Sequence, residues 1–532
     1  MVLAGGLVIG TIIFHAGFRV DYTPNDASRW NTVYYLVEHG TYEYLLDRRK
    51  PAWNQKEPKA PHDIGPLWTI DLVATRDESG QYHYYSSKPP LLPTLVAGVV
   101  IAIEKTSELL EPITRPIADF LTGRHIPVVA DLHETTFFVV PATMILVQAI
   151  PFMIFVWIIG KHLAGMTDSS FARDFCIAVA ALGTYLTPYT ITFNNHVLGA
   201  FTALFALHAG IRIWYGGRRE WYWFAMCGLF GGLAWTLELP AASLAAALLV
   251  AMLVKDWKKG LIFGVTFAAI PVAAALYTNI LAVGRWWPAY SDVGEPGGLY
   301  DYPGSHWVPF PTTGIDGLQE PKRIYLLHLL IGHHGLFLLT PILLLALLGA
   351  GRHLRRGMGV AALITTVLIA LGAFVVADAM QGGRFTDAVP SVDLPGGIRF
   401  GLPSGFSLLA PLALLLLINI GMYLRSPATP RPMLALLTLA ISVVVIGFYT
   451  YTTNNYGGGA QGPRWLFWLI PLWLFLLPAG IEWFAGARSG RVVCYSLLLV
   501  SMLSVAFAFR QPWGGAISWA HQLFRHLGWI RY

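Results

Sequence analysis

The sequence predicts an all-α, polytopic integral membrane protein with about 13–14 transmembrane helices, on three observations. Of 532 residues, 55% are hydrophobic and only 12% are charged, about half the charged share of an ordinary soluble domain. Apolar runs at 135–160, 261–283, 358–377, 404–424, 432–450 and 464–480 approach or exceed the span of a bilayer, which takes roughly 18–20 residues. Lys and Arg collect in short loops: Arg218 and Arg219; Lys255, Lys258 and Lys259; Arg352, Arg355 and Arg356; Arg425 and Arg431; Arg488 and Arg491. That distribution marks cytoplasmic loops. A β-barrel would need alternating strands with polar lumen faces, which these unbroken runs do not supply.

Residues 1–18 are apolar and lack a basic flank or a clear cleavage site, so they read as a first membrane helix rather than a leader. The first loop, 19–88, carries a short surface helix that Asn25 or Asp26 caps and Gly40 ends, with Val33, Leu36 and Val37 on its apolar side. The charge pattern puts loops 284–334, 378–403 and 451–463, and the link around Asn194–His196, on the outer face with it. One crossing is then missing between residues 89 and 134. Either 89–104 is re-entrant, or part of 105–134 crosses back, or an early orientation is reversed. The longest polar stretch is too short for a separate soluble domain, and no internal repeat is visible.

The net charge of +6 is spread over the loops, so it reads as topology and not as a nucleic-acid surface. Cys176, Cys227 and Cys494 lie far apart in apolar segments, a pattern of core residues rather than of metal ligands or disulfides.

Chemistry in such a chain belongs at the outer helix mouths. The first loop opens Asp21-Tyr-Thr-Pro-Asn-Asp26-Ala-Ser-Arg29-Trp30 and closes Ser87-Lys88-Pro89-Pro90-Leu91. Pro89 and Pro90 preset a first helical turn, where bare N–H groups and the Lys88 ammonium together favour a phosphate. An Asp three positions before an Arg-aromatic pair, followed by a Lys-Pro-Pro-Leu helix entrance, resembles the GT-C superfamily of membrane glycosyltransferases. The aminoarabinose transferases of lipid A and the protein O-mannosyltransferases are the types it is most similar to. The resemblance runs from residue 1 to about 215.

It implies a catalytic core over 1–215, with 216–532 adding further helices and no separate soluble domain. It also implies transfer, with inversion, of a sugar from a polyprenyl phosphate to a hydroxyl acceptor (protein, glycan or lipid) at the periplasmic face of a bacterial inner membrane. Asp26 falls on the family's catalytic carboxylate and Lys88 on its phosphate-contacting lysine. Arg29 either orients Asp26 through an ion pair or faces the leaving phosphate, and Asp21 is the alternative base.

Two departures stand out. Ser87 occupies the position where the aminoarabinose transferases carry an acidic metal-site residue, so no metal ligands or other cofactor are assigned, although a divalent metal stays open. No carboxylate follows Pro188 in the outer link; Asn195 and His196 there either bind substrate or, for Asn194 and Asn195, cap a helix.

In the glycine-rich loop before Trp465, Arg464 and Tyr456 are substrate-binding candidates, and the glycines permit a mobile acceptor-side loop. His328, His333 and His334 read as interfacial residues lacking a zinc partner set. Glu238 reads as a charge at an outer helical break, and the aromatic loop from Arg285 to Trp307 as a lid or an interface belt. The competing function is a transporter or flippase of a lipid-linked substrate, which needs the cations but no base.

Overall fold

The computed structural model describes residues 2–18, 23–44, 69–122, 139–294, 296–309, 311, 320–354, 391–394, 398–401, 430–453 and 455–530. Asp21 and the runs 358–377 and 404–424 lie outside them. The described chain is helical, apart from two small antiparallel hairpins. Five helices are long and apolar enough to cross a membrane: Val139–Ala164, Asn195–Trp214, Trp257–Val283, Arg431–Thr450 and Arg488–Arg510. Two bent pairs, Lys322–Leu339 with Leu343–His353 (94°) and Arg464–Leu474 with Leu477–Ala485 (63°), raise the number to seven among the described residues. On Trp257–Val283 only 17% of the apolar window is buried inside the protein, and on Arg488–Arg510 only 33%. Bare apolar faces of that extent suit lipid, not water.

α1 (Val2–Phe18) leads to α2 (Pro24–His39). Pro24 sits at the first helical position and Thr23, not Asn25 or Asp26, caps the helix: its hydroxyl accepts from the Asp26 N–H at 3.5 Å. The Asp26 carboxylate is thereby left for other partners. Gly40 closes α2 in the left-handed conformation at φ 63°, as its sequence position predicts. α2 does not rest on a surface with one face bare; Asp26 through Tyr35 are all buried.

Covering it is a hairpin, β1 (Leu72–Arg76) and β2 (Tyr82–Ser86), with Leu72 opposite Ser86. The hairpin base is clamped to α2, since Ser28 Oγ donates to Asp71 O at 2.8 Å and lies 2.6 Å from Ser86 Oγ, while Thr69 Oγ1 donates to Pro24 O at 2.6 Å. Its other side meets the 284–309 loop: the Ala74 N–H donates to Leu299 O at 2.8 Å and Trp307 Nε1 to Ile70 O at 3.1 Å. The aromatic loop therefore packs on the hairpin through Trp307, with Trp286 and Trp287 about half exposed at 51% and 54%.

α3 (Leu91–Thr122) runs as one helix through Pro112 and Pro116, so residues 91–104 do not turn back on themselves. The stretch 123–138 that follows it is outside the described residues.

Beyond it come α4 (Val139–Ala164), α5 (Ser170–Leu182), α6 (Asn195–Trp214), α7 (Trp221–Leu237), α8 (Ala242–Lys255) and α9 (Trp257–Val283). α7 lies directly against α9. A Cβ on Gly228 would meet Gly264 O at 2.0 Å, and one on Gly232 would meet Ala268 O at 2.3 Å. Small residues four apart on both helices let the backbones touch, the usual means of association where lipid removes the hydrophobic drive. The basic ends of α6, α7, α8 and α9 meet in one place, where Arg219 Nη1 donates to Lys255 O (3.0 Å) and Lys259 Nζ donates to Arg219 O (2.6 Å). Asn195 and Glu238 occupy the opposite helix ends.

Later elements include α10 (Lys322–Ile331), α11 (Leu343–Leu354), the hairpin Ser391–Leu394 with Ile398–Gly401, α12 (Pro430–Thr452), α13 (Arg464–Leu474), α14 (Leu477–Ala485), α15 (Arg488–Arg510) and α16 (Trp519–His526). One continuous apolar core extends from Ala4 to Ala520.

Candidate functional site

Six stretches far apart in sequence converge at the end of α6 and α7 opposite their basic ends. α2 brings Asp26 and Arg29. Asp26 is 6% exposed and its Oδ2 accepts from Trp513 Nε1 at 2.9 Å, whereas its buried Oδ1 has no hydrogen-bond partner among the described residues. Burial pushes its carboxyl up to about 7, against the downward pull of Arg29, of the Trp513 hydrogen bond and of Arg464. Arg29 does not close an ion pair on Asp26. Its guanidinium donates to the carbonyl and side-chain oxygens of Asn25 and to Asn195 Oδ1. It stays within electrostatic reach of Asp26, Arg464, Asp71 and Glu238, so it belongs to the cluster without holding the base directly.

The hairpin brings the lysine. Lys88 Nζ forms a 2.9 Å ion pair with Asp71 Oδ1, and the Lys88 N–H donates to Ser86 Oγ at 3.0 Å. Desolvation lowers the Lys88 ammonium from its ordinary value; Asp71 opposes the shift while Arg29 and Arg464 add to it. The Ser87 N–H donates to Asp71 O at 3.0 Å. A carboxylate is thus present beside Lys88, supplied across the strand pair by Asp71, a residue the sequence reading did not single out. A cleft lined by Thr32, Tyr42, Tyr85, Ser86, Lys88 and Asn279 opens here.

The outer link and α7 bring the third carboxylate. Asn194 is the cap of α6, its Oδ1 accepting from the Val197 N–H at 2.9 Å, which frees Asn195. Asn195 Nδ2 donates to Glu238 Oε1 (2.9 Å) and Leu237 O (2.8 Å), and His196 Nδ1 contacts the same Glu238 oxygen at 2.5 Å. Glu238, Asn195 and Arg29 therefore form a buried relay of hydrogen bonds. Gly199 leaves room for it: a Cβ there would stand 2.6 Å from Glu238 Cγ.

The last part comes from the second half of the chain. Arg464, at the start of α13, lies over the Trp513 ring at 4.9 Å. Gly457 has φ 95°, and a Cβ on it would meet Arg464 Nε at 2.7 Å, so glycine is required on both counts. The loop around it is pinned. Gln461 N–H donates to Pro512 O (2.8 Å), Gln461 Nε2 to Gln511 O (2.9 Å), and Tyr189 OH to Gln461 O (2.9 Å) and Pro512 O (2.7 Å). The glycine run gives close approach rather than a loose loop.

Tyr456 is placed elsewhere. It is stacked between Tyr325 (4.5 Å) and His334 (5.0 Å), with its hydroxyl donating to Glu320 Oε2 at 2.6 Å. His328, His333 and His334 are not interfacial either; they are 3%, 1% and 2% exposed and share this stack with His521. Hydropathy puts a histidine at a helix mouth in the headgroup zone, but here α16 folds over the mouth and encloses them.

Each carboxylate of the site has one oxygen engaged by a protein partner. Asp71 is engaged by Lys88, Asp26 by Trp513, and Glu238 by Asn195 and His196. Among the described residues no three His, Cys, Asp or Glu side chains gather as a metal-ligand set.

No protein-family model and no curated protein matches the sequence. Among solved structures, the chain is similar to the apo form of the Archaeoglobus fulgidus oligosaccharyltransferase, at 12% identity and a TM-score of 0.36. The match covers 99% of this chain and 57% of that one, so the chain spans a little over half the length of the archaeal protein.

Proposed function

We propose that the protein is a GT-C-type membrane glycosyltransferase that moves a sugar from a polyprenyl phosphate to a hydroxyl acceptor. The observation that carries this reading is the bare Oδ1 of a buried Asp26 within electrostatic reach of Arg29 and Arg464, the two cations that Lys88 also feels. A transferase needs a proton acceptor beside an anion site; a carrier needs only the second.

In the reaction, the acceptor hydroxyl passes its proton to Asp26 Oδ1 as its oxygen attacks the anomeric carbon. The bond from that carbon to the phosphate oxygen breaks, and its electron pair leaves with the polyprenyl phosphate. Direct displacement inverts the anomeric centre. Negative charge grows on the departing phosphate, where Lys88, Arg29 and Arg464 favour the transition state over the ground state. A base poised near neutrality suits this work, because a carboxyl that titrates at about 7 is both partly ionised and basic enough to take a proton.

Residues 1–215 form the catalytic core in this reading, and 216–532 complete it with Glu238, Arg464 and Trp513. The separation of the site from the basic helix ends supports a site on the non-cytoplasmic face, which in a bacterial inner membrane is the periplasmic one. The acceptor is a protein, glycan or envelope-lipid hydroxyl.

The test is reconstitution in proteoliposomes with radiolabelled polyprenyl-phosphate sugars and a membrane extract as acceptor. Label should move to the acceptor fraction with inverted anomeric configuration by NMR. Passage of intact donor across the bilayer, with no sugar released, would support the lipid-carrier reading instead.

A further inference from the structure

Trp513 has no part in the sequence motif, yet it touches both the Asp26 carboxylate and the Arg464 guanidinium. Its Nε1–H donates to Asp26 Oδ2 at 2.9 Å, its ring carries Arg464 at 4.9 Å, and Tyr189 packs edge-on to it at 5.3 Å. The neighbouring backbone is fixed: Pro512 O accepts from both Tyr189 OH and the Gln461 N–H, and the Gly515 N–H donates to Gly459 O. The indole is held on both sides, so its N–H can hold one carboxylate oxygen still while the other stays bare.

We propose that Trp513 is the positioning residue for Asp26, and that the loop from Gln511 to Ile517 joins the base to the phosphate-side cation Arg464 as one rigid unit. This rests on the transferase reading for its consequence in catalysis, but the coupling of Trp513 to Asp26 stands on geometry alone. One carboxylate oxygen fixed by an N–H leaves a single lone-pair direction for the acceptor proton, which is what orientation contributes to rate. The ring also fixes the guanidinium through its π face, so a phosphate seated at Arg464 and a hydroxyl seated at Asp26 keep a constant separation.

Two substitutions separate the hydrogen bond from the ring. Trp513→Phe removes the donor and part of the ring. Replacement of Trp513 by benzothienylalanine, introduced through an expanded genetic code, removes the N–H alone and keeps the shape, so it guards against simple misfolding. The charged and titratable groups facing Asp26 are Arg29 on its own helix, Arg464 on α13 and Tyr189 in the link, with His196 on the far side of the indole at 6.4 Å. Both variants leave all four in place.

With the isostere, the acid limb of kcat/KM should move up by about one pH unit, because the ionised carboxylate loses a donor, while KM for the donor lipid changes little. Trp513→Phe should show the same shift together with a raised KM. A limb that stays at its wild-type position in the isostere, whatever the loss of rate, overturns the proposal and leaves Trp513 a packing residue.

The carboxyl band of Asp26, identified in infrared spectra by its absence in Asp26→Asn, gives a second reading that needs no activity. If the wild type transfers no sugar but this band still titrates higher in the isostere, the positioning contact stands and the transferase reading fails. If transfer is normal and the band does not move, the reverse holds.

Discussion

Asp26 carries its proton below about pH 7 and cannot accept another there, because burial outweighs the pull of Arg29, Trp513 and Arg464. Transfer should therefore rise as pH climbs through about 7 and level off above it. A kcat/KM profile checks this; a limb near 4, the value of a solvated aspartate, would mean the base is another group. Lys88→Ala should lower kcat/KM by about 10²- to 10³-fold, the range for losing one preorganised contact to a developing anion.

Asp26, Arg29 and Lys88 could be proposed from the sequence because their signal is local: three-residue spacing after a helix and a Pro-Pro helix entrance. Their partners were not. Arg29 reaches Asn195 across 166 positions, and Trp513 reaches Asp26 across 487. Asp71 was hidden for a related reason, since only strand pairing brings it beside Ser87 and Lys88. Glu238 announced itself as a charge at a helical break, but its hold on Asn195 and His196 depends on α6 and α7 packing side by side.

At the scale of elements, helix ends and glycines do most of the positioning. Pro24 and Thr23 start α2 early enough to leave the Asp26 side chain unspent, and a sequence reading that assigns the cap to Asn25 or Asp26 misses this. The β1–β2 hairpin was also missed. Its strands are five residues each, and the first lacks a clean alternation, so only the Asp77–Gly80 turn marks it.

Gly199→Ala should displace Glu238 from Asn195 and lower transfer by about 10²-fold while leaving the helices folded, because small errors of placement are costly to rate. Circular dichroism alongside the assay separates this from global damage. Gly232→Leu should act differently: a side chain driven into Ala268 O should cost about 1–3 kcal/mol or more by overpacking, seen as a lowered midpoint of thermal unfolding in detergent. Equal stability of the variant would mean α7 and α9 do not touch there.

For the whole molecule, composition and charge pattern were enough to predict a helical membrane protein, since both are averages over many residues. The path from 89 to 134 was not legible, because the apolar stretch there is too short and carries Glu104 and Lys105 on a helix that continues to Thr122. The basic loops and the polar cluster sit at opposite ends of α6–α9.

Cysteines placed at Ser79 in the hairpin and at Lys258 should therefore react with impermeant maleimides from opposite sides of the membrane. The three native cysteines are buried and keep the background low. Reaction of both from the same side would overturn the topology.

The measurement that bears most directly on the central claim is turnover and binding of a polyprenyl-phosphate sugar by wild type and Asp26→Asn in the same proteoliposomes. Loss of the base should slow transfer by about 10²- to 10⁴-fold, with donor affinity unchanged because Lys88, Arg29 and Arg464 remain. Equal turnover in the two proteins, or donor binding by the wild type with no sugar released at any pH, would contradict the account.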